Sequence, residues 1–256
     1  MRIAILLSGR VCKYKSFLEL LENNKRNYKI DLFVSVNDEY HKNIQFYDKF
    51  IDDFSYYLKD IYIRKYIVPN NFHNEYLSSN KLHNYIYRSL SMFYNDNNCF
   101  NMAVKFADDN NFEYDLYLRT RSDIYNSELK LPFSDYLDNI NNNILYCVNP
   151  INKFTICLTN KNEQIINNRF HSHANKEDII HHGKWVTGDI SFGNIENMKK
   201  YCNCYDYVIQ KNNEYNENFF ICFEHTITMY LESINIKWNF FEYNYEYCES
   251  RNNYEF

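Results

Sequence analysis

The segment YDLYLRTRSDIY, residues 114–125, holds the densest set of groups able to do chemistry in this chain. A buried parallel strand is almost wholly apolar, yet this one runs out through Arg119, Thr120, Arg121, Ser122 and Asp123. Arg119 and Arg121 stand two apart and so project to the same side of a strand. Two guanidiniums placed there can grip a diphosphate or a carboxylate through paired N–H donors. Asp123, just past the strand, is suited to hold a divalent cation that bridges phosphate oxygens. A structural Arg–Asp ion pair is the plainer alternative.

Glycine marks two further places. The chain has only four, and Gly183, Gly188 and Gly193 fall in one short stretch while Gly9 follows the first apolar run. In so glycine-poor a sequence, such positions imply tight turns or close approach of the backbone to a ligand. Ordinary turns are the competing explanation. Glu224 and His225 interrupt a strongly apolar segment, where a charged residue is usually paired or functional. Arg88 is a candidate partner for Glu224. His171, His173, His181 and His182 form HxH and HH pairs in a polar stretch, which reads as solvated histidine and not as a metal site.

These groups need a scaffold, and the hydrophobic pattern describes one. Short apolar runs at 3–7, 30–36, 62–68, 114–120, 144–148, 185–192 and 236–241 read as strands. Helical periodicity occupies 14–24, 40–58, 82–108, 133–140, 195–210 and 219–233, with Asn194 set to cap the fifth of these helices. Residues 151–182 show no readable pattern. Alternation of strands and helices predicts an α/β domain with a mostly parallel central sheet flanked by helices. Ligands of such sheets bind beyond the carboxyl ends of the strands, which is where Gly9 and Arg121–Asp123 fall. One domain over 1–256 is expected, in two halves, 1–125 and 126–256.

Composition narrows the function classes. The net charge is −5 with no basic run, which argues against a phosphate backbone as the main partner. The eight cysteines lack zinc-ligand spacing, since only Cys202 and Cys204 are close. They read as reduced thiols in a reducing compartment. The opening apolar run is too short for a secretory core or a membrane span, so a soluble, cytoplasmic protein is expected. The abundance of Asn, Lys, Tyr, Ile and Phe is what an AT-rich genome produces, as in a parasite, an intracellular bacterium or a large virus; in the last case the location would be the host cytoplasm.

Taken together, the opening MRIAILLSGR, the central YDLYLRTRSDIY, and the later GDISFGNIENM and FEHTITMYL resemble a GT-A-type nucleotide-diphospho-sugar glycosyltransferase of bacteria, algae and large DNA viruses. The resemblance implies transfer of a sugar, from a UDP-sugar by preference, to the hydroxyl of a glycan, protein or small molecule. It implies nucleotide-sugar contacts from Ser8, Gly9, Arg10, Asn37, Asp38, Arg88, Arg119 and Arg121. The family's Asp-x-Asp metal motif falls on Arg121-Ser122-Asp123, with Arg121 in place of the first Asp. The resemblance thus implies Mn²⁺ or Mg²⁺ on Asp123, with His225 a further candidate ligand. It implies Asp189 as general base for the acceptor hydroxyl and Glu224 as a second catalytic candidate. Two other activities stay open: a non-catalytic binding module on a degenerate transferase fold, and a sugar nucleotidyltransferase. The latter normally needs a more glycine-rich first loop than Ser-Gly-Arg.

Overall fold

The structure is a computed structural model that describes residues 1–9, 11–67, 80–124, 130–137, 140, 143–148, 186, 188–214, 223–241 and 243. Its centre is a 7-stranded sheet in the order β3-β2-β1-β4-β6-β5-β7. The strands are β1 (Arg2–Ser8), β2 (Lys29–Val36), β3 (Leu58–Ile63), β4 (Leu116–Thr120), β5 (Leu145–Val148), β6 (Ser191–Gly193) and β7 (Trp238–Phe241). β1, β2, β3 and β4 run parallel, while β6 lies antiparallel between β4 and β5, and β5 pairs parallel with β7. Six strands therefore point one way and only β6 opposes them. This is the mostly parallel α/β architecture that the pattern predicts, and it is compatible with a Rossmann-like fold.

Each face is covered by its own helices. Ile3, Ile5 and Leu7 of β1 join Leu32, Val34, Leu116 and Leu118 in one core, packed against Phe17 of α1 (Lys15–Asn24) and Phe46 and Phe50 of α2 (Ile44–Asp53). The intervening residues Ala4, Leu6, Phe33 and Tyr117 face a second core beneath α3 (Asn80–Asp109), α4 (Ile195–Cys202), α5 (Cys204–Glu214) and α6 (Phe223–Ser233). The period of two along a strand divides the side chains between these layers. Both cores are rich in aromatic rings, with Tyr14 edge-on to Phe50 at 5.1 Å and Phe93 stacked on Phe223 at 4.5 Å.

Five boundaries differ from the sequence pattern. The helix expected over 40–58 is only Ile44–Asp53, preceded by a 3-10 turn at Tyr40–Lys42 and followed by turns over 54–57. β3 spans 58–63 rather than 62–68, because it is an edge strand of intermediate burial whose register comes from pairing with β2 and not from an apolar run. Among the described residues of 133–140 the chain makes turns and no α-helix; Ser134 and Tyr136 each bond back to the carbonyl three residues earlier. The strand expected over 185–192 is only Ser191–Gly193. The long helix expected from 195 breaks at Asn203 into α4 and α5. That break lets Cys202 and Cys204 both be buried, although residues two apart on one straight helix do not share a face. Asn194 caps α4 as expected, its side chain accepting from the Asn197 amide at 3.0 Å. No helix among the described residues is long and apolar enough to cross a membrane.

Candidate functional site

β1 is followed in sequence by β2 and β3 on one side, whereas β4 returns to its other side. The strand order reverses at that point, and beyond the carboxyl ends of such a switch point is where open α/β sheets bind ligands. Four segments distant in sequence meet there. Leu7 is in register with Thr120, so Ser8-Gly9 and Arg121-Ser122-Asp123 leave the sheet side by side. Because β6 is antiparallel and Arg119 is opposite Ser191, Asp189 arrives at the same edge from the other direction. Gly9 has φ +99, a left-handed conformation that L side chains rarely adopt, and its amide reaches the Ser35 carbonyl at the end of β2. The next turn of that loop is tied to the 3-10 turn that follows β4: the Cys12 amide donates to Ser122 Oγ at 3.3 Å, and Ser122 Oγ donates to the Cys12 carbonyl at 3.1 Å.

Arg121, Asp123 and Asp189 form the charged centre. Arg121 Nε and Nη2 donate to the two oxygens of Asp123 at 2.9 and 2.7 Å, a bidentate fork. Its third nitrogen, Nη1, lies 3.9 Å from Asp189 Oδ1. Both carboxylates are buried, while the Arg121 side chain is about one-fifth exposed. Among the described residues, this centre sets one guanidinium against two carboxylates, so a diphosphate bound there would call for further positive charge. The described residues do not by themselves make a donor set for a divalent ion. Asp123 is engaged through both oxygens, and no group of three His, Cys, Asp or Glu side chains comes together among the described residues.

Arg119 departs from the expected role. It is wholly buried and turned under the sheet towards α3, with Nε donating to Asp96 Oδ1 at 2.9 Å and its guanidinium 5.7 Å from the Phe223 ring. Arg119 and Arg121 do not present two guanidiniums to one anion: each is paired with its own aspartate, the structural alternative. The strand alternation that puts Arg119 in the Tyr117 row ends with β4 at Thr120, so the relation of the two arginines is set by the turn that follows. Burial works against the Arg119 charge, but Asp96 outweighs it and the pKa of Arg119 is raised. Burial likewise pushes the Asp96 carboxyl up, against the pull of Arg119 and of the bond from Ser8.

The remaining predicted residues divide. Ser8 is buried, and its hydroxyl donates to Asp96 Oδ1. Asn37 is occupied by tyrosines, its Oδ1 accepting from the Tyr66 amide at 2.6 Å and from Tyr87 Oη at 3.1 Å. Asp38 organises the turn after β2, accepting from the Glu39 amide and from Tyr47 Oη at 2.7 and 2.8 Å. Arg88 is exposed on α3. Glu224 and His225 lie in the first turn of α6, right after Phe223, but their side chains are outside the described residues. Arg10 and the four histidines of 171–182 are outside them as well.

Asp96 and Ser122 were not legible as site residues. Asp96 sits among asparagines in a helix that reads as polar surface, and its one signal is helical phase: it falls three residues beyond Phe93 and seven before Ala103, on the buried side. No protein-family model matches this chain, and its sequence matches no curated protein.

Proposed function

We propose that this chain is a GT-A-type glycosyltransferase that moves a sugar from a nucleotide-diphosphate donor, with UDP-sugars favoured, to an acceptor hydroxyl. The observation that carries this is the convergence of the Gly9 loop, the Arg121–Asp123 pair and Asp189 at the carboxyl edge of a mostly parallel sheet, at its switch point. Asp189 is the base: as the acceptor oxygen bonds to the anomeric carbon, its proton passes to the carboxylate. The bond from that carbon to the diphosphate oxygen breaks, and the diphosphate leaves with the electron pair. Arg121, between the two carboxylates, faces the negative charge that builds on the departing group.

A melting panel of UDP, GDP, CMP and their sugar conjugates, with and without Mn²⁺, tests this directly. At a hundredfold excess over Kd, a ligand adds about 2.7 kcal/mol of stability. One nucleotide is expected to raise Tm, and Asp123→Ala to abolish the rise. Asp189→Asn is expected to keep the shift and to slow sugar transfer at least ~100-fold. No shift with any nucleotide, with or without metal, would sink the proposal. The second reading, a non-catalytic binding module, draws on the bidentate Arg121–Asp123 contact, which closes Asp123 off. It predicts a nucleotide shift without measurable transfer by the wild-type chain.

A further inference from the structure

Helices covering a parallel sheet usually meet it with apolar side chains, and α3 does so through Leu90, Phe93 and Ala103. Over the carboxyl ends of three strands it instead offers polar groups. Asn95 Oδ1 accepts from Ser35 Oγ of β2 at 2.9 Å, and Asn98 Nδ2 reaches the same hydroxyl at 3.2 Å. Asp96 Oδ1 accepts from both Ser8 Oγ of β1 and Arg119 Nε of β4. One carboxylate oxygen thus joins the two strands that flank the switch point, in a position where Ser8, Asp96 and Arg119 are all buried.

This arrangement is poorly built for stability. Arg119 Nη1 and Nη2, Asp96 Oδ2 and Asn95 Nδ2 are buried without hydrogen-bond partners among the described residues. A guanidinium and a carboxylate placed for mutual stabilisation would use the two-pronged fork, as Arg121 and Asp123 do two residues away. Here only Nε is used, and the second carboxylate oxygen is left over. Buried polar groups that forgo partners cost stability, and local rules are broken in this way at sites kept for function. What the geometry does achieve is to set the ends of β1 and β4 relative to each other, one residue before Gly9 and two residues before Arg121.

We infer that Asp96 is a positioning residue: it holds the Gly9 loop of β1 and the Arg121 turn of β4 at the spacing the candidate site requires. The ligand in question, a nucleoside diphosphate, rests on the function proposed above; the mechanical part does not. Two amides report on the mechanics, since the Gly9 N–H bonds to the Ser35 carbonyl and the Cys12 N–H bonds across to Ser122.

The test replaces the pair by apolar residues of similar size, Asp96→Leu with Arg119→Met, a change that buried ion pairs often tolerate without loss of stability. Amide hydrogen exchange of the ligand-free protein is expected to speed up at least ~10-fold at Gly9 and Cys12, with Ile5 in mid-strand unchanged. UDP binding by the folded double variant is expected to weaken at least ~10-fold, as befits positioned groups. Should the double variant not fold, Ser8→Ala decides, because it removes only the hydroxyl that Asp96 accepts; it is expected to loosen the Gly9 amide. Unchanged exchange in the folded variant, or faster exchange with unaltered UDP affinity, would overturn the assignment. If the wild-type chain binds no nucleotide, the proposed function fails, and the exchange rates alone decide whether Asp96 positions the two strand ends.

Discussion

At the scale of single residues, the two arginines of one short segment carry different loads. Arg121 is partly exposed and forked onto Asp123, so its charge remains within reach of a ligand. Arg119 is sealed under α3 with Asp96 as its ionic partner. Removing one member of a buried pair leaves the other charge uncompensated, at a cost of about 3–5 kcal/mol. Asp96→Asn alone is therefore expected to destabilise the protein by about that amount, read from urea unfolding midpoints with an unchanged slope. A loss below about 1 kcal/mol, the range of exposed pairs, would mean that Arg119 is solvated in the folded protein.

Elements bring these residues together, and α4 is the one that follows the Asp189 segment. It follows β6, which Asp189 precedes by two residues, and its first turn is held by the Asn194 cap. Its buried side, Met198, Tyr201 and Cys202, packs into the core beneath Arg119. Gly193, at the end of β6, would bring a Cβ to 3.1 Å from the Asn197 Cβ, so strand and helix are closely opposed where they join. Asn194→Ala removes the acceptor for the Asn197 amide and is expected to cost about 1 kcal/mol. Asn194→Ser and Asn194→Asp are expected to restore most of it, since both supply a capping oxygen. Equal losses with Ala, Ser and Asp would show that the side-chain bond is not what stabilises the turn.

The whole molecule is defined by its tyrosines, of which there are 26. Burial pushes the ionisation of Tyr66, Tyr114, Tyr117 and Tyr230 above the ordinary value of 10.0, with the bond to Tyr205 adding to it at Tyr66 and the charge of Asp31 at Tyr114. The folded state therefore keeps these protons after the unfolded chain has lost them. With folded values above unfolded ones, the stability linked to these groups is complete below pH about 10 and falls as pH rises beyond it. Burial holds the thiols of Cys99, Cys147, Cys202 and Cys204 above their ordinary value of 9.0 in the same way. Denaturation midpoints are therefore expected to begin falling at about pH 9 and to fall more steeply above about 10. A midpoint at pH 11 equal to that at pH 8 would contradict this.

Read along the chain, the apolar runs were enough for the mostly parallel sheet, for its flanking helices and for the placement of Gly9 and Arg121–Asp123 at strand ends, because hydrophobic periodicity is local information. The Asn194 cap was legible for the same reason, its donor lying three residues away. Edge strand β3 was misplaced because its register comes from a neighbour and its own residues are only half buried. Which aspartate Arg119 takes was beyond the sequence: Asp96 is 23 residues from Arg119 and 88 from Ser8. Tertiary structure alone decided that Asp96 lies beneath the switch point and that Asp189 comes back beside Arg121. Such pairings depend on strand order and on the phase of a long helix, and both are settled only when the two cores close on the sheet.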